Sequence, residues 1–160
     1  MKHFSLKKVL FGLSLFAGIA VTAQQATPIR IIPQPVQVEQ TEGVYQLPEK
    51  FTISYDASLK AQAEYLQEVL AQSTGRVAVM KEGKKKGDIV LLVDAQAQKA
   101  EGYALSVTPK SVKIVAADPS GAFYGIQSLL QLFPAEIYSQ KWQRNTEWKA
   151  PCVEIVDAPE

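Results

Sequence analysis

The chain has 160 residues, which is long enough for one domain with a single hydrophobic core. Its 17 Lys and Arg residues nearly balance 16 Asp and Glu residues, giving a net charge of +1 and no indication of a nucleic-acid partner. A single cysteine excludes an internal disulfide, so stability must come from the core.

Residues 1–23 have the three-part pattern of a cleavable signal peptide. A segment with three lysines precedes an uncharged, mostly apolar run over 9–20, and short residues follow up to Ala23. The apolar run is shorter than the about 20 residues that a membrane-spanning helix needs. We therefore expect cleavage near Ala23, export to the periplasm or beyond the cell, and no membrane span.

Cleavage would leave residues 24–160 as the mature domain. It would remove three lysines and the only histidine, His3, so that the net charge becomes −2. Without histidine, the mature chain cannot hold a Ser-His-Asp site, a Cys-His site or a His-ligated metal. It also lacks a Gly-rich phosphate loop. We predict no cofactor and no metal site.

The first half of the mature chain is predicted to hold strands followed by one helix. Prolines favour an extended lead-in from residue 26, because proline is excluded from central strands. Strands are predicted near 35–39, at 44–47 and at 51–55. Asp56 and Ser58 offer N-cap side chains, a stripe from Leu59 to Leu70 has helical spacing, and Gly75 occupies the C′ position.

The second half is predicted to hold more strands and a second helix. Strands are predicted at 77–80, 88–93, 103–108, 111–116 and 152–156, with 103–116 forming a hairpin. Asp118 caps a helix that ends before Pro134, and Gly121 and Gly125 indicate close approach of its backbone to a neighbour. The expected fold is α+β, with one mostly antiparallel sheet and two helices packed on one face.

Acidic residues and the cysteine do not form a convincing catalytic group. Glu64 and Glu68 lie one turn apart on the polar side of a helix, where solvated charge is the simpler interpretation. Asp118 is explained as a cap, and Asp157 has too little chain after it to build a pocket. Cys152 lies in a predicted strand without a base and is expected to fill the core.

Aromatic and basic residues leave two alternatives open. Trp142 and Trp148 could stack on sugars, but we favour a role in covering an edge or an interface with another domain. The basic run 81–86 is interpreted as a solvated loop, with a polyanion contact as the alternative. Three further aromatic residues are assigned to the core: Tyr103, Phe123 and Tyr124.

Five segments occur in a recognisable order and spacing. They are Ile32–Pro35, Gly43–Leu47, Glu101–Val107, Gly121–Leu132 and Pro151–Pro159. Together they resemble the N-terminal domain of bacterial β-N-acetylhexosaminidases of glycoside hydrolase family 20. The fourth segment is similar to that domain's second helix almost residue for residue, and the resemblance covers residues 29–160.

The resemblance implies an exo-acting enzyme that removes terminal N-acetylglucosamine or N-acetylgalactosamine. In that family a (β/α)8 barrel after this domain carries an adjacent Asp-Glu pair, in which the Glu is the general acid and the Asp orients the acetamido group of the substrate. This chain has no Asp-Glu dipeptide and no barrel, and Glu160 stands where the opening Arg of the barrel is usual. No catalytic, cofactor-binding or metal-binding residue is therefore carried over, and the chain alone is expected to be inactive.

Two hypotheses follow for the chain as a whole. In the first it is the accessory domain of an exported family 20 hexosaminidase, present as a fragment whose partner is the missing barrel and which meets amino-sugar glycans only through that barrel. Related domains also precede other glycosidases, such as those of family 84. In the second it is a free-standing, non-catalytic module that binds a glycan or a protein.

Overall fold

The computed structural model describes residues 28–96 and 99–158, so the predicted signal segment lies outside the described residues. The described chain forms one seven-stranded sheet and two α-helices, which confirms the α+β class. The strands are β1 (Gln37–Gln46), β2 (Thr52–Tyr55), β3 (Val79–Glu82), β4 (Ile89–Val93), β5 (Tyr103–Val107), β6 (Val112–Ala116) and β7 (Lys149–Asp157). The helices are α1 (Lys60–Thr74) and α2 (Pro119–Leu132).

The sheet is mixed, whereas a mostly antiparallel one was expected. Its strand order is β1-β7-β5-β6-β4-β2-β3. Pairing is antiparallel from β1 to β6 and parallel from β6 to β3. Parallel neighbours require a crossover, and α1 provides one between β2 and β3. Alternation of apolar residues within a strand carries no information about strand direction, which is why the sequence did not predict the parallel half.

Both helices pack on the same face of the sheet, as predicted. On β5 the side chains of Tyr103, Leu105 and Val107 are buried, while the intervening residues are only half-buried. α2 lies against β5 and β6, and α1 lies against β2 and α2. The second face of the sheet carries polar side chains such as Lys113, which is exposed. The core therefore lies between the helices and one face of the sheet.

α2 begins and packs as its sequence predicts. The Asp118 carboxylate accepts a hydrogen bond from the backbone N–H of Gly121 at 3.0 Å, and Pro119 occupies the first turn. A Cβ at position 121 would collide with the carbonyl oxygen of Gly102. A Cβ at Gly125 would lie 2.8 Å from Cγ2 of Ile114. Both glycines let the helix approach the sheet more closely than a side chain would allow.

The start of α1 differs from the prediction. The Asp56 side chain makes no capping hydrogen bond, because its Oδ2 accepts one from the N–H of Val93 at 2.8 Å. A 3₁₀ turn, Ala57–Leu59, leads into the helix instead. The end of α1 is as predicted, since Gly75 has a φ of 69° and donates its N–H to the carbonyl of Ala71 at 3.0 Å.

Candidate functional site

A groove lies beside α2 on the described part of the chain. It has a volume of about 710 Å³ and runs between α2, the lead-in over 31–36 and the end of β7. We call it the α2 groove. Its apolar wall includes Phe123 and Tyr124 of α2 and Ile32 of the lead-in, which are 39%, 44% and 81% exposed. Such a cluster of exposed apolar side chains is typical of an interaction surface.

α2 holds the lead-in in place through one glutamine. The Gln131 side chain accepts a hydrogen bond from the Ile32 N–H at 2.9 Å and donates one to the Ile32 carbonyl at 3.1 Å. A carboxylate oxygen of Asp157 accepts another from the N–H of Val36 at 3.1 Å. These side chains satisfy backbone groups that would otherwise pair within a sheet. The lead-in thus forms a fixed wall of the groove without belonging to a helix or strand.

A largely buried hydroxyl pair lies in the lining of the groove. The Tyr103 hydroxyl and the Ser128 hydroxyl are 2.6 Å apart, and Tyr103 is 2% exposed. Burial raises the pKa of Tyr103 above its usual value, so the phenol stays protonated at neutral pH. We interpret this pair as a structural link between β5 and α2, because burial leaves little access for a substrate.

One end of the groove is acidic. Glu101 and Asp157 line it, and the lining contains no Lys or Arg. Glu101 has a φ of 60°, and its N–H donates to Oδ2 of Asp118 at 2.8 Å. The two acidic residues belong to adjoining backbone segments, since a Cβ on Gly102 would lie 3.2 Å from the carbonyl oxygen of Asp157. This end of the groove therefore favours a cationic group.

Two aromatic residues assigned to the core from the sequence lie in this groove instead. Phe123 and Tyr124 are on the outer surface of α2, while Tyr103 is buried as predicted. Both outer residues lie on the side of α2 that carries Ser120, Gln127 and Gln131, so the spacing of these polar residues indicates the outward face. A usable signal was present: none of the 14 residues of α2 is charged, which is unusual for a helix facing solvent.

Glu64, Glu68 and the cysteine have the roles that the simpler interpretation gave them. Asp157, which was expected to have too little chain after it to build a pocket, lines the α2 groove instead. Glu64 is exposed and lies 3.9 Å from the ammonium group of Lys60, and Glu68 accepts a hydrogen bond from Gln72 at 3.1 Å. Cys152 is fully buried, and burial raises the pKa of its thiol. A thiol with a raised pKa is a poor nucleophile at neutral pH.

The two tryptophans differ from each other. Trp148 is 2% exposed and belongs to the core. Trp142 is 55% exposed, but the guanidinium carbon of Arg144 lies 4.5 Å from its ring centroid. Gly75 also contacts this indole, because a Cβ there would lie 2.7 Å from its Nε1. These contacts occupy ring surface that a sugar would need for stacking, which favours the covering role.

Other surfaces of the described chain do not suggest chemistry. The side chains over 81–86 are exposed, but Lys81 and Glu82 lie in strand β3, so only 83–86 form the expected solvated loop. Over 28–96 and 99–158, the acidic residues and the cysteine form no group that could hold a metal ion. Among the helices of those same two ranges, none has the length and apolar character needed to cross a membrane.

Comparison with known proteins gives the family. The family model for glycosyl hydrolase family 20, domain 2, matches residues 28–158. The chain belongs to glycosyl hydrolase family 20. The family match and the related structures support the identification of the chain as an N-terminal domain of that family, in agreement with the resemblance seen in the sequence.

Relatives in sequence and in structure are hexosaminidases. The chain is 31% identical over 169 residues to a β-hexosaminidase of Porphyromonas gingivalis, a match that covers 96% of this chain and 22% of that protein. It is 30% identical to the N-acetyl-β-hexosaminidase of Streptomyces plicatus, with a TM-score of 0.76 and coverage of 84% and 27%. A Streptomyces coelicolor β-N-acetylhexosaminidase is 33% identical, with a TM-score of 0.74 and the same coverage of 84% and 27%. The chain thus spans about a quarter of the length of these proteins.

Proposed function

We propose that the chain is the accessory N-terminal domain of an exported β-N-acetylhexosaminidase. In this proposal, the rest of the intact protein supplies the catalytic domain, which hydrolyses terminal N-acetylglucosamine or N-acetylgalactosamine from glycans. The observation that carries the proposal is the family match over residues 28–158, which includes every described residue of the fold. The pattern of residues 1–23 supports export.

The side chains described above support an accessory role for this domain. Its acidic residues are engaged as structural acceptors or solvated, and Asp56 and Asp118 accept backbone hydrogen bonds. The large exposed apolar surface of the α2 groove suits contact with another protein domain. We infer that glycans are bound by the catalytic domain and not by this one.

Two preparations test the proposal with a nitrophenyl N-acetyl-β-glucosaminide. We expect the intact polypeptide that contains this chain to release nitrophenol and residues 24–160 alone to release none above a protein-free control. Mass spectrometry of the exported intact protein should show a new N-terminus next to Ala23. Turnover by residues 24–160 alone, or an inactive but folded intact polypeptide, would contradict the proposal.

A further inference from the structure

We propose that a patch of lysines on the second face of the sheet binds the surface of a membrane that contains anionic phospholipids. We call it the lysine patch, and its members are Lys81, Lys84, Lys85, Lys86 and Lys113. The inference goes beyond the proposed function, because it concerns where the exported protein is held and not what it hydrolyses.

The loop 83–88 places three of these lysines on the second face. β3 and β4 flank β2 and both run parallel to it, so the chain must return across β2 between them. The loop crosses β2 over Ser54, whose hydroxyl donates a hydrogen bond to the Lys86 carbonyl at 2.7 Å. Ser54 alternates with the core residue Ile53 and so points to the second face, yet it is fully buried because the loop covers it.

This loop is held in one position against β2. The Asp88 carboxylate accepts a hydrogen bond from the Thr52 N–H at 2.8 Å. A Cβ at Gly87 would lie 2.8 Å from the hydroxyl oxygen of Ser54, so the loop packs on the sheet more closely than a side chain would allow. Because the backbone is already fixed, its lysines can meet a binding surface without the entropic cost of ordering a flexible loop.

The other two lysines extend the patch across four strands. Lys81 is paired with Ser54, Ser54 with Val90, and Val90 with Lys113. Residues in register point to the same face, and neighbouring strands are about 4.8 Å apart, so the Cα atoms of Lys81 and Lys113 are separated by about 14 Å. The patch is therefore broad, and it suits an extended anionic surface better than one small anion.

The charge of the lysine patch is not neutralised within this domain. None of its five lysines forms an ion pair with a described residue, whereas Lys60, Arg76 and Lys149 each form one. The expected net charge of the mature chain is −2, so the patch is a local concentration of positive charge. Such a concentration attracts a surface of opposite sign, and a membrane with anionic headgroups presents one.

Apolar side chains beside the patch favour a lipid surface over a soluble polyanion. Val77 and Val79 are 67% and 58% exposed, and Val79 lies on the same face as Lys81, two residues further along β3. Exposed valines can enter the interfacial region of a bilayer, but they gain nothing from a sulfated or phosphorylated chain in water. The cations are all lysines, whereas a site for one sulfate or phosphate group favours the bidentate geometry of Arg.

The opposite half of the second face is acidic. The row that contains Lys113 continues across β5 to Glu154 on β7 and Glu39 on β1. An anionic membrane repels these carboxylates, so we expect the β3 edge of the sheet to face the lipid and the β1 edge to face away from it. The same polarity makes the acidic half of a second copy the alternative occupant of the lysine patch.

Co-sedimentation with vesicles tests the proposal on the intact exported polypeptide. We expect it to bind vesicles of phosphatidylglycerol and not vesicles of phosphatidylcholine. Each lysine near an anionic surface contributes about fivefold to the binding constant. Lys84→Gln, Lys85→Gln and Lys86→Gln combined should therefore weaken binding by at least about tenfold.

The matched control makes the same change in net charge outside the patch. It combines Lys60→Gln, Lys99→Gln and Lys141→Gln, all at exposed positions, and should leave vesicle binding unchanged. A further variant, Val77→Thr with Val79→Thr, keeps the β-branched shape but removes apolar surface. It should weaken binding to phosphatidylglycerol vesicles by about threefold and leave any binding of dextran sulfate unaltered.

Three results would overturn the proposal. The first is that the unsubstituted protein does not bind phosphatidylglycerol vesicles, or that the triple variant in the loop binds them equally well. The second is that the lysine patch binds dextran sulfate but not vesicles, which identifies a soluble polyanion. The third is that the patch supports a concentration-dependent dimer but no vesicle binding, which identifies a second copy.

The nitrophenol assay on the same preparations separates these results from failure of the proposed function. Turnover should be the same for every variant, because the substitutions lie at exposed positions of this accessory domain. An active protein that does not bind vesicles contradicts only the membrane proposal. An inactive, folded protein that binds vesicles through the lysine patch contradicts only the proposed function.

Discussion

The two helices bury similar inner faces but present different outer surfaces. Leu66 of α1 and Leu129 of α2 are both fully buried. On the outer surface α1 carries an exposed pair, Lys60 and Glu64, whereas α2 carries Phe123 and no charged residue. Charged residues suit solvent and aromatic residues suit a protein surface. The outer surface of α1 therefore suits contact with solvent, and that of α2 suits contact with protein.

The helices also differ in how closely they approach the sheet and how they begin. On its inner face α1 buries Ala63, whereas α2 has Gly121 and Gly125 there, which have no side chain to hold the helix away from its neighbours. The N-terminus of α2 is capped by the Asp118 side chain. No side chain caps the N-terminus of α1 or of the 3₁₀ turn before it. α2 is therefore positioned more exactly by its own sequence, and three substitutions test whether that is so.

The largest effect is expected for Gly121→Ala. In an ordinary helix this change stabilises by about 1 kcal/mol. Here the new Cβ meets the backbone carbonyl of Gly102, which cannot move without disturbing β5, so we expect a loss of about 3 kcal/mol in the free energy of unfolding. Urea titration of the chain measures it.

Ser120→Ala is the control for that substitution, because Ser120 is exposed in the same turn of α2. It should change the free energy of unfolding by less than about 0.5 kcal/mol. A stabilising effect of Gly121→Ala would show that α2 does not approach the sheet as closely as described.

An intermediate effect is expected for Asp118→Ala. The substitution removes a carboxylate that accepts backbone hydrogen bonds from Gly121 and Glu101, and we expect a loss of about 1.5 kcal/mol at neutral pH. The same hydrogen bonds lower the pKa of Asp118. Its stabilisation is therefore complete above the unfolded-state pKa of about 3.9 and is lost as the pH falls through the lower, folded-state pKa.

Urea titrations of Asp118→Ala and the unsubstituted chain at neutral and strongly acidic pH test that sign. The difference between the two proteins should shrink on acidification. Glu64→Gln, on the uncapped helix, serves as the control and should differ little from the unsubstituted chain at either pH. If the difference in free energy of unfolding between Asp118→Ala and the unsubstituted chain widened in acid, the lowered pKa of Asp118 would be contradicted.

The smallest effect on stability is expected for Phe123→Gln. It removes ring contacts with Tyr65 and Tyr124 that contribute about 1 kcal/mol. Because the ring is 39% exposed, the larger consequence should be on binding of a hydrophobic fluorescent dye to residues 24–160, which we expect to fall by more than about half. Glu68→Gln places the same amide on the outer surface of α1 and should leave dye fluorescence unchanged. If Phe123→Gln, Glu68→Gln and the unsubstituted residues 24–160 bound the dye equally, the outer surface of α2 would not differ from that of α1 as an apolar binding surface.

Local signals in the sequence predicted most of the elements. The cap at Asp118, the glycine at the end of α1 and the β5–β6 hairpin all agree with the structure, because each depends on residues only a few positions apart. Asp56 was misassigned because its partner, Val93, is 37 residues away and competes with the local cap. The groove was missed for the same reason, since Gln131 meets Ile32 across a separation of 99 residues.

The sequence by itself determined the family, the α+β class and the C-terminal ends of both helices, since these follow from residue order, periodicity and short-range hydrogen bonds. Only the tertiary structure decided that β2, β3, β4 and β6 run parallel, because strand direction depends on which segments pair. It also decided how closely α2 approaches its neighbours, because the Gly102 carbonyl beside Gly121 and the Ile114 side chain beside Gly125 leave no room for a Cβ at either position. Phe123 and Tyr124 lie on the outer side of α2, in the groove that Asp157 also lines.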